Sequence, residues 1–239
     1  MLLIKACDVF AGYGKLQIIN GVSMEAAPSE ITVIVGPNGS GKSTLLRTIA
    51  GLTTVYSGSI TMGGTPLVGV PPHEIAKLGL AYLPQTENVF TNLTVAENLR
   101  MAEYTLPNEQ KQARLDSVKV KFPQLAPYLG AKAGLLSGGE RQMLAMGMSL
   151  VREPKVMLFD EPTGNLSPKI ATQVLETIRS LAKELSITVV LVEQNARKAL
   201  EIGSKAYLLA NGKVVFAGGA KELLEHKELG RLYLGLQAS

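Results

Sequence analysis

Ile31-Thr32-Val33-Ile34-Val35-Gly36-Pro37-Asn38-Gly39-Ser40-Gly41-Lys42-Ser43-Thr44 is the stretch from which the fold is read. Five apolar or β-branched residues make a strand buried on both faces. The glycine-bearing loop Gly36–Ser43 follows, and helix-forming residues begin at Thr44. Gly36, Gly39 and Gly41 let the backbone wrap around phosphate groups, so that the turn Gly36-Pro37-Asn38-Gly39-Ser40-Gly41 aims several N–H donors at them beside a helix N-terminus. Lys42 adds a point charge and Ser43 a hydroxyl suited to Mg²⁺. The pattern implies a nucleoside triphosphate site in an α/β domain.

Composition narrows the setting. With 239 residues, 46% of them apolar, the chain is large enough for one substantial domain with an appendage and needs no covalent staples. A single cysteine, Cys7, excludes an internal disulfide and fits a reducing compartment. The sequence opens without a charged-then-apolar leader and has no apolar run of membrane-spanning length, so any membrane role is expected to come through a partner. The net charge of +4 is spread along the chain without a basic block or interleaved aromatics, and nucleic acid is not the expected partner.

Around the loop, short β-rich segments are predicted at 2–9, 18–24 and 31–35, punctuated by Gly12, Gly14 and Pro28-Ser29. Residues 57–69 read as a hairpin and 80–84 as a further buried strand. From about Glu87 to Arg152 helical periodicity replaces strand runs, which suggests a helical subdomain at 87–152 inserted between core segments 1–86 and 153–239. Within it, Thr94 and Glu97 form a capping box for a helix running through Leu99 and Met101. Val156–Phe159 and Thr188–Val192, separated by a helix from Pro168 to Leu185, call for a parallel sheet covered on both faces. Asn211-Gly212 joins two terminal strands in a tight hairpin.

Two further features carry chemistry. Val156–Phe159 delivers Asp160 and Glu161 to the end of a buried strand, the edge of a parallel sheet where ligands bind. There Asp160 is expected to hold Mg²⁺ through its water shell and Glu161 to polarise a water attacking a γ-phosphate; the plainer alternative is a solvated turn before Pro162. Ser137 and Glu140 make a second capping box around Gly138 and Gly139. Two bare glycines expose N–H groups at the positive end of a helix dipole, which suits phosphate, although an ordinary capped helix has the same pattern.

Taken in order, the phosphate loop, Leu136-Ser137-Gly138-Gly139-Glu140 and Asp160-Glu161 resemble the nucleotide-binding subunits of ABC transporters, over essentially the whole chain. The resemblance implies a P-loop ATPase of ABC type: a mixed-sheet core, an N-terminal antiparallel β-subdomain and an inserted helical subdomain. It implies ATP and Mg²⁺ as cofactors. It also implies that two ATP-binding subunits, identical or paralogous, sandwich two nucleotides, each signature pentapeptide meeting the other protomer's γ-phosphate. Integral membrane permease subunits and, indirectly, a solute-binding protein are the further partners, and the cytoplasmic face of the cell membrane is the implied location. The site the resemblance implies comprises Tyr13 for the adenine, the loop from Gly36 to Thr44, Gln85, and the pentapeptide residues Ser137, Gly138, Gly139 and Glu140. Ser43, Gln85 and Asp160 are its metal-directed residues, and Lys42, Glu161 and Gln194 its catalytic ones. On residue type alone, Tyr13 is equally a strand-end core tyrosine and Gln85 a turn glutamine.

Two positions depart from the usual family pattern. Gln194 stands where many members carry histidine, and His73 and His226, the two histidines of the chain, are not placed to substitute. Glutamine can donate a hydrogen bond to phosphate but does not titrate near neutrality. Ser167 stands where many members have aspartate before Pro168; it either joins a cross-protomer network or only caps the helix. Glu193-Gln194-Asn195-Ala196 and the ending Tyr233-Leu234-Gly235 look like the ATPases of branched-chain amino acid importers. Gln85 and Asn165-Leu166-Ser167-Pro168 differ from what that subgroup often shows, which leaves urea, amide or lipid-linked cargo as alternatives. Val89-Phe90 and the helix capped by Thr94 are either a groove for the membrane subunit or ordinary contacts of the helical subdomain. A soluble ABC-type ATPase acting in nucleic-acid or translation processes is the alternative to a transport subunit. A module without turnover is disfavoured by Glu161.

Overall fold

The computed structural model describes residues 3–104 and 106–233. Its elements are β1 (Ile4–Tyr13), β2 (Leu16–Ala26), β3 (Ile31–Val35), α1 (Lys42–Ile49), β4 (Thr54–Met62), β5 (Thr65–Pro66), α2 (Pro72–Lys77) and β6 (Leu80–Leu83). Next come α3 (Val95–Glu103), α4 (Asn108–Lys121), α5 (Gly138–Leu150), β7 (Val156–Asp160) and α6 (Pro168–Glu184). The chain continues with β8 (Thr188–Val192), α7 (Ala196–Ile202), β9 (Lys205–Ala210), β10 (Lys213–Gly219), α8 (Ala220–Glu225) and α9 (Lys227–Tyr233). Leu2, Leu234 and Gly235, on which readings of the two chain ends rest, lie outside the described residues.

One sheet has the order β2-β1-β4-β5 and its pairs are antiparallel. The other has the order β10-β9-β3-β8-β7-β6, with β9, β3, β8 and β7 parallel and β10 antiparallel to β9. This is the α/β architecture expected from the sequence. Strands β3, β7 and β8 are buried at every residue, as their unbroken apolar runs require.

The chain divides into two compact units, the first comprising Met1–Tyr82, Lys155–Glu161 and Leu175–Ser239, the second Leu83–Pro154 and Pro162–Val174. In the first, one buried cluster joins Ile4, Val22 and Ile60 of the antiparallel sheet, Leu45, Leu46 and Ile49 of α1, and Leu158, Val190 and Leu209 of the mixed sheet. Helix α1 is therefore clamped from several sides, and truncating one such leucine to alanine costs roughly 2–5 kcal/mol. In the second unit, α5 offers Gly147 where Val118, Leu99 and Phe122 converge, so that α3 and α4 can approach its backbone closely. Asn98, fully buried, accepts the Phe90 N–H at 2.7 Å and donates to the Phe90 and Thr94 carbonyls. It thereby pins the loop ahead of α3, while the Phe90 side chain stays 51% exposed rather than joining a core.

Several sequence expectations need adjustment. β1 passes through Gly12 and β2 starts at Leu16, so the first hairpin is longer than glycine punctuation suggested. Register shifts between Ala6 and Val9, where Asp8 takes φ 47°, absorb the irregularity. β6 is an edge strand, not a fully buried one: Leu80 and Leu83 are buried while Ala81 and Tyr82 are only partly so. Residues 162–174 cluster with Leu83–Pro154 in the second compact unit. Leu166 and Ile170 pack there against Gly138 and Gly139.

Candidate functional site

Because β3, β8 and β7 run parallel and in register, Ile34 and Asp160 both lie level with Val192. The residues that follow, Gly36 onward, Glu161 and Glu193-Gln194, leave the sheet at one carboxyl edge, where such folds hold their ligands. The loop reaches α1 through backbone that only glycine suits at Gly36. Its φ is +149°, and a Cβ there would sit 2.1 Å from the Leu209 carbonyl oxygen. The terminal hairpin supports the loop from outside, Gly212 N–H donating to the Ser40 carbonyl at 3.0 Å.

Lys42 curls back over this loop, its ammonium donating to the Gly36 and Pro37 carbonyls at 2.9 and 3.0 Å. Burial pushes its pKa down, and the nearby Glu161 and Asp160 carboxylates partly offset that. Ser43 Oγ donates to Asp160 Oδ1 at 2.7 Å, and Tyr82 Oη donates to Asp160 Oδ2 at 3.0 Å. Asp160 is itself 1% exposed. Burial beside that carboxylate pushes the Tyr82 phenol up to about 12. Ser40 Oγ is buried with no hydrogen-bond partner in the structure, an orphaned hydroxyl inside a loop shaped for phosphate oxygens.

Glu161 follows in the left-handed region at φ 48°, its N–H donating to the Val192 carbonyl at 2.9 Å. A non-glycine residue held there is a feature met at functional sites. Gln194 is exposed just past β8, and Asn195 caps α7 through Lys198 N–H. Tyr13 ends β1 and is 38% exposed, its hydroxyl accepting from Arg47 at 3.2 Å. The first unit thus brings Lys42, Ser43 and Asp160 together, with Tyr13 linked to them by hydrogen bonds. Among the described residues no cluster of three or more His, Cys, Asp or Glu could hold a metal by itself. The oxygen donors of Ser43 and Asp160 suit a hard cation that arrives with phosphate ligands.

Gln85 and the pentapeptide belong to the second unit. Gln85 is exposed two residues beyond β6. Ser137 caps α5 reciprocally with Glu140: Glu140 N–H donates to Ser137 Oγ at 3.3 Å, and Ser137 N–H donates to Glu140 Oε2 at 2.7 Å. The Ser137 side chain and backbone, followed by the Tyr128 hydroxyl, hold the Glu140 carboxyl below its ordinary range. The glycines do more here than bare N–H groups. Gly139 is buried, and a Cβ on Gly138 or Gly139 would come within 2.6 Å of Leu166 or Ile170. Close packing against the start of α6 is therefore a second reason for glycine at both places.

Arg47, Tyr82 and Tyr128 stand in no motif of the sequence, and Glu193, which enters there only within Glu193-Gln194-Asn195-Ala196 and with no role of its own, is 2% exposed just before Gln194. Only Glu193 left a sequence signal, a carboxylate ending an apolar strand.

A strand–loop–helix phosphate cradle with an acidic strand tip across from it, in a unit that also carries an antiparallel sheet, defines a P-loop nucleotide-binding ATPase domain. The ABC transporter family matches residues 19–164. The chain is 49% identical, over 98% of its length and 99% of that protein, to the probable branched-chain amino acid transport ATP-binding protein LivF of Archaeoglobus fulgidus. It is 42% identical, over 93% of its length and 95% of that protein, to the high-affinity branched-chain amino acid transport ATP-binding protein BraG of Pseudomonas aeruginosa. A nucleotide-free ATP-binding cassette from an ABC transporter superposes with a TM-score of 0.87 at 22% identity, each chain covered in full. The ADP conformation of an ATP-binding cassette of an ABC transporter gives 0.87 at 24% identity, covering 97% of this chain and 98% of that one. These two show the fold. The chain belongs to the ABC transporter family and is one of its nucleotide-binding ATPase subunits. No helix among the described residues is long and apolar enough to cross a membrane.

Proposed function

We propose that this subunit hydrolyses ATP to drive import of branched-chain or related amino acids, at the cytoplasmic face of the membrane and against integral permease subunits. A second ATP-binding subunit completes two nucleotide sites, and a solute-binding protein delivers cargo. The near full-length identity of 49% to a probable branched-chain amino acid transport ATP-binding protein carries this reading of the cargo.

Residue by residue, the Gly36–Thr44 loop and Lys42 hold the β- and γ-phosphates, and the Tyr13 ring stacks on adenine. A Mg²⁺ ion carried with ATP would rest on Ser43, Gln85 and, through water, Asp160, where it supplies neutralisation of phosphate charge. The 2.7 Å contact between Ser43 Oγ and Asp160 Oδ1 supports that pairing. Glu161 orients and polarises the attacking water, and Gln194 donates a hydrogen bond to the γ-phosphate without carrying a proton. Ser137, Gly138, Gly139 and Glu140 present a helix N-terminus to the nucleotide of the other protomer. Residues 87–152 serve the signature and the membrane partner, 1–86 and 153–239 the nucleotide. ATP favours the closed pair and hydrolysis releases it.

The reading is tested by isolating the subunit with its membrane partners, reconstituting them in vesicles with ATP, and measuring uptake of leucine, isoleucine and valine against urea. ATP-dependent accumulation of the branched-chain amino acids is expected. Turnover of ATP with uptake of urea and none of these three would overturn the cargo assignment.

A further inference from the structure

Two side chains that the reading above leaves idle lie between its two ends. Arg47 follows Ser43 by four residues on α1, so both occupy one face of the helix. Its guanidinium donates from Nε to Tyr82 Oη at 3.3 Å and from Nη1 to Tyr13 Oη at 3.2 Å. Tyr82, having accepted that bond, passes its own proton donation to Asp160 Oδ2 at 3.0 Å, while Ser43 occupies Asp160 Oδ1. The result is a chain of hydrogen bonds that diverges from Arg47 on α1, one way to Tyr13 at the tip of β1 and the other through Tyr82 of β6 to Asp160 at the tip of β7. Each donor in such a chain polarises the next. Arginine suits the central place, because a planar fork serves two phenol oxygens at once, whereas lysine offers a single point.

We propose that Arg47 and Tyr82 form a brace tying the base platform Tyr13 to the cation-holding Asp160, so that seating the base and seating the divalent cation are energetically coupled. This rests on the roles given above to Tyr13 and Asp160. Both tyrosine rings keep their packing when only a hydroxyl is removed, so the brace can be cut without emptying space. Arg47 and Tyr82 act here as positioning residues.

The test uses Mn²⁺ titrated into the ADP complex of the full chain and followed by electron paramagnetic resonance, which reads cation seating without turnover. Tyr82→Phe removes the hydroxyl on Asp160 and is expected to weaken Mn²⁺ binding about fivefold, the worth of one hydrogen bond of ordinary strength. The decisive variant is Tyr13→Phe, which keeps the ring for stacking and touches Asp160 nowhere. The brace requires it to weaken Mn²⁺ binding about two- to threefold, and that effect to vanish in the Tyr13→Phe/Tyr82→Phe double variant. Arg47→Lys should reproduce the Tyr82→Phe loss. It should also narrow the preference for ATP over inorganic tripolyphosphate, measured by displacement of a fluorescent ADP in EDTA.

Wild-type Mn²⁺ affinity in Tyr13→Phe, or additive losses in the double variant, would overturn the coupling. Lower melting temperatures with Mn²⁺ affinity unchanged in all three single variants would reduce the chain to a structural contact and overturn it as well. Failure of the underlying reading looks different. It would show as unchanged Mn²⁺ affinity in Asp160→Asn or unchanged ATP affinity in Tyr13→Ala.

Discussion

Gly212→Ala probes how the terminal hairpin shapes the nucleotide loop. The residue sits in the Asn211-Gly212 turn at φ +73°, and an added Cβ would lie 1.9 Å from the Ile18 carbonyl oxygen and 2.7 Å from Asn20 Nδ2. The left-handed conformation costs alanine about 1–2 kcal/mol. The overlap with backbone cannot be relieved by a rotamer change, and overpacking of this kind adds about 1–3 kcal/mol. A loss of roughly 2–5 kcal/mol, at about 2–4 °C per kcal/mol for a chain of this size, lowers the melting temperature by roughly 4–20 °C. Since Gly212 N–H donates to the Ser40 carbonyl, displacement of the turn should also weaken nucleotide binding, by about fivefold if one hydrogen bond is lost. Gly64→Ala is the matched control, with φ +86° and nothing within 4 Å of its added Cβ. It isolates the conformational cost. Thermal melts without nucleotide and fluorescent ADP titrations on both variants separate the two contributions. If Gly212→Ala melts with Gly64→Ala and binds ADP as the wild type does, the hairpin does not support the loop.

Acid should loosen the helix caps in a defined direction. Hydrogen bonds from Thr94 and Ser137 hold the Glu97 and Glu140 carboxyls below the ordinary glutamate range in the folded protein. Their contribution is present above the unfolded value and is lost as pH falls through the folded one. Melting temperature should therefore drop more steeply between about pH 5 and 3 in the wild type than in Glu97→Gln/Glu140→Gln; parallel curves would speak against it. Gln194→His should give ATP turnover a new inflection near about pH 6.5, the ordinary histidine value. An unchanged pH profile would remove residue 194 from the γ-phosphate.

Features set by local chemistry were legible in the sequence. The loop from Gly36 needs a strand before it and a helix after it, and both capping boxes and the Asn211-Gly212 turn are written in neighbouring residues. What escaped depends on distant segments meeting. Tyr82 and Arg47 are ordinary residues of an edge strand and a helix until β7 brings Asp160 beside them. The glycines of the pentapeptide suggested exposed donors, yet their packing against Leu166 and Ile170 involves a segment almost thirty residues on. Bulges in β1 likewise hid its length, because the register shifts at Asp8 interrupt the alternation that marks a strand.

The central claim is that the strand tip at Glu161 does chemistry on a triphosphate held by the loop. Single-turnover ATP hydrolysis by Glu161→Gln, alongside equilibrium ATP binding, tests it most directly. Binding close to wild type with hydrolysis slowed about a hundredfold or more is the expected result for loss of a group that activates water. Wild-type hydrolysis by Glu161→Gln would contradict the account.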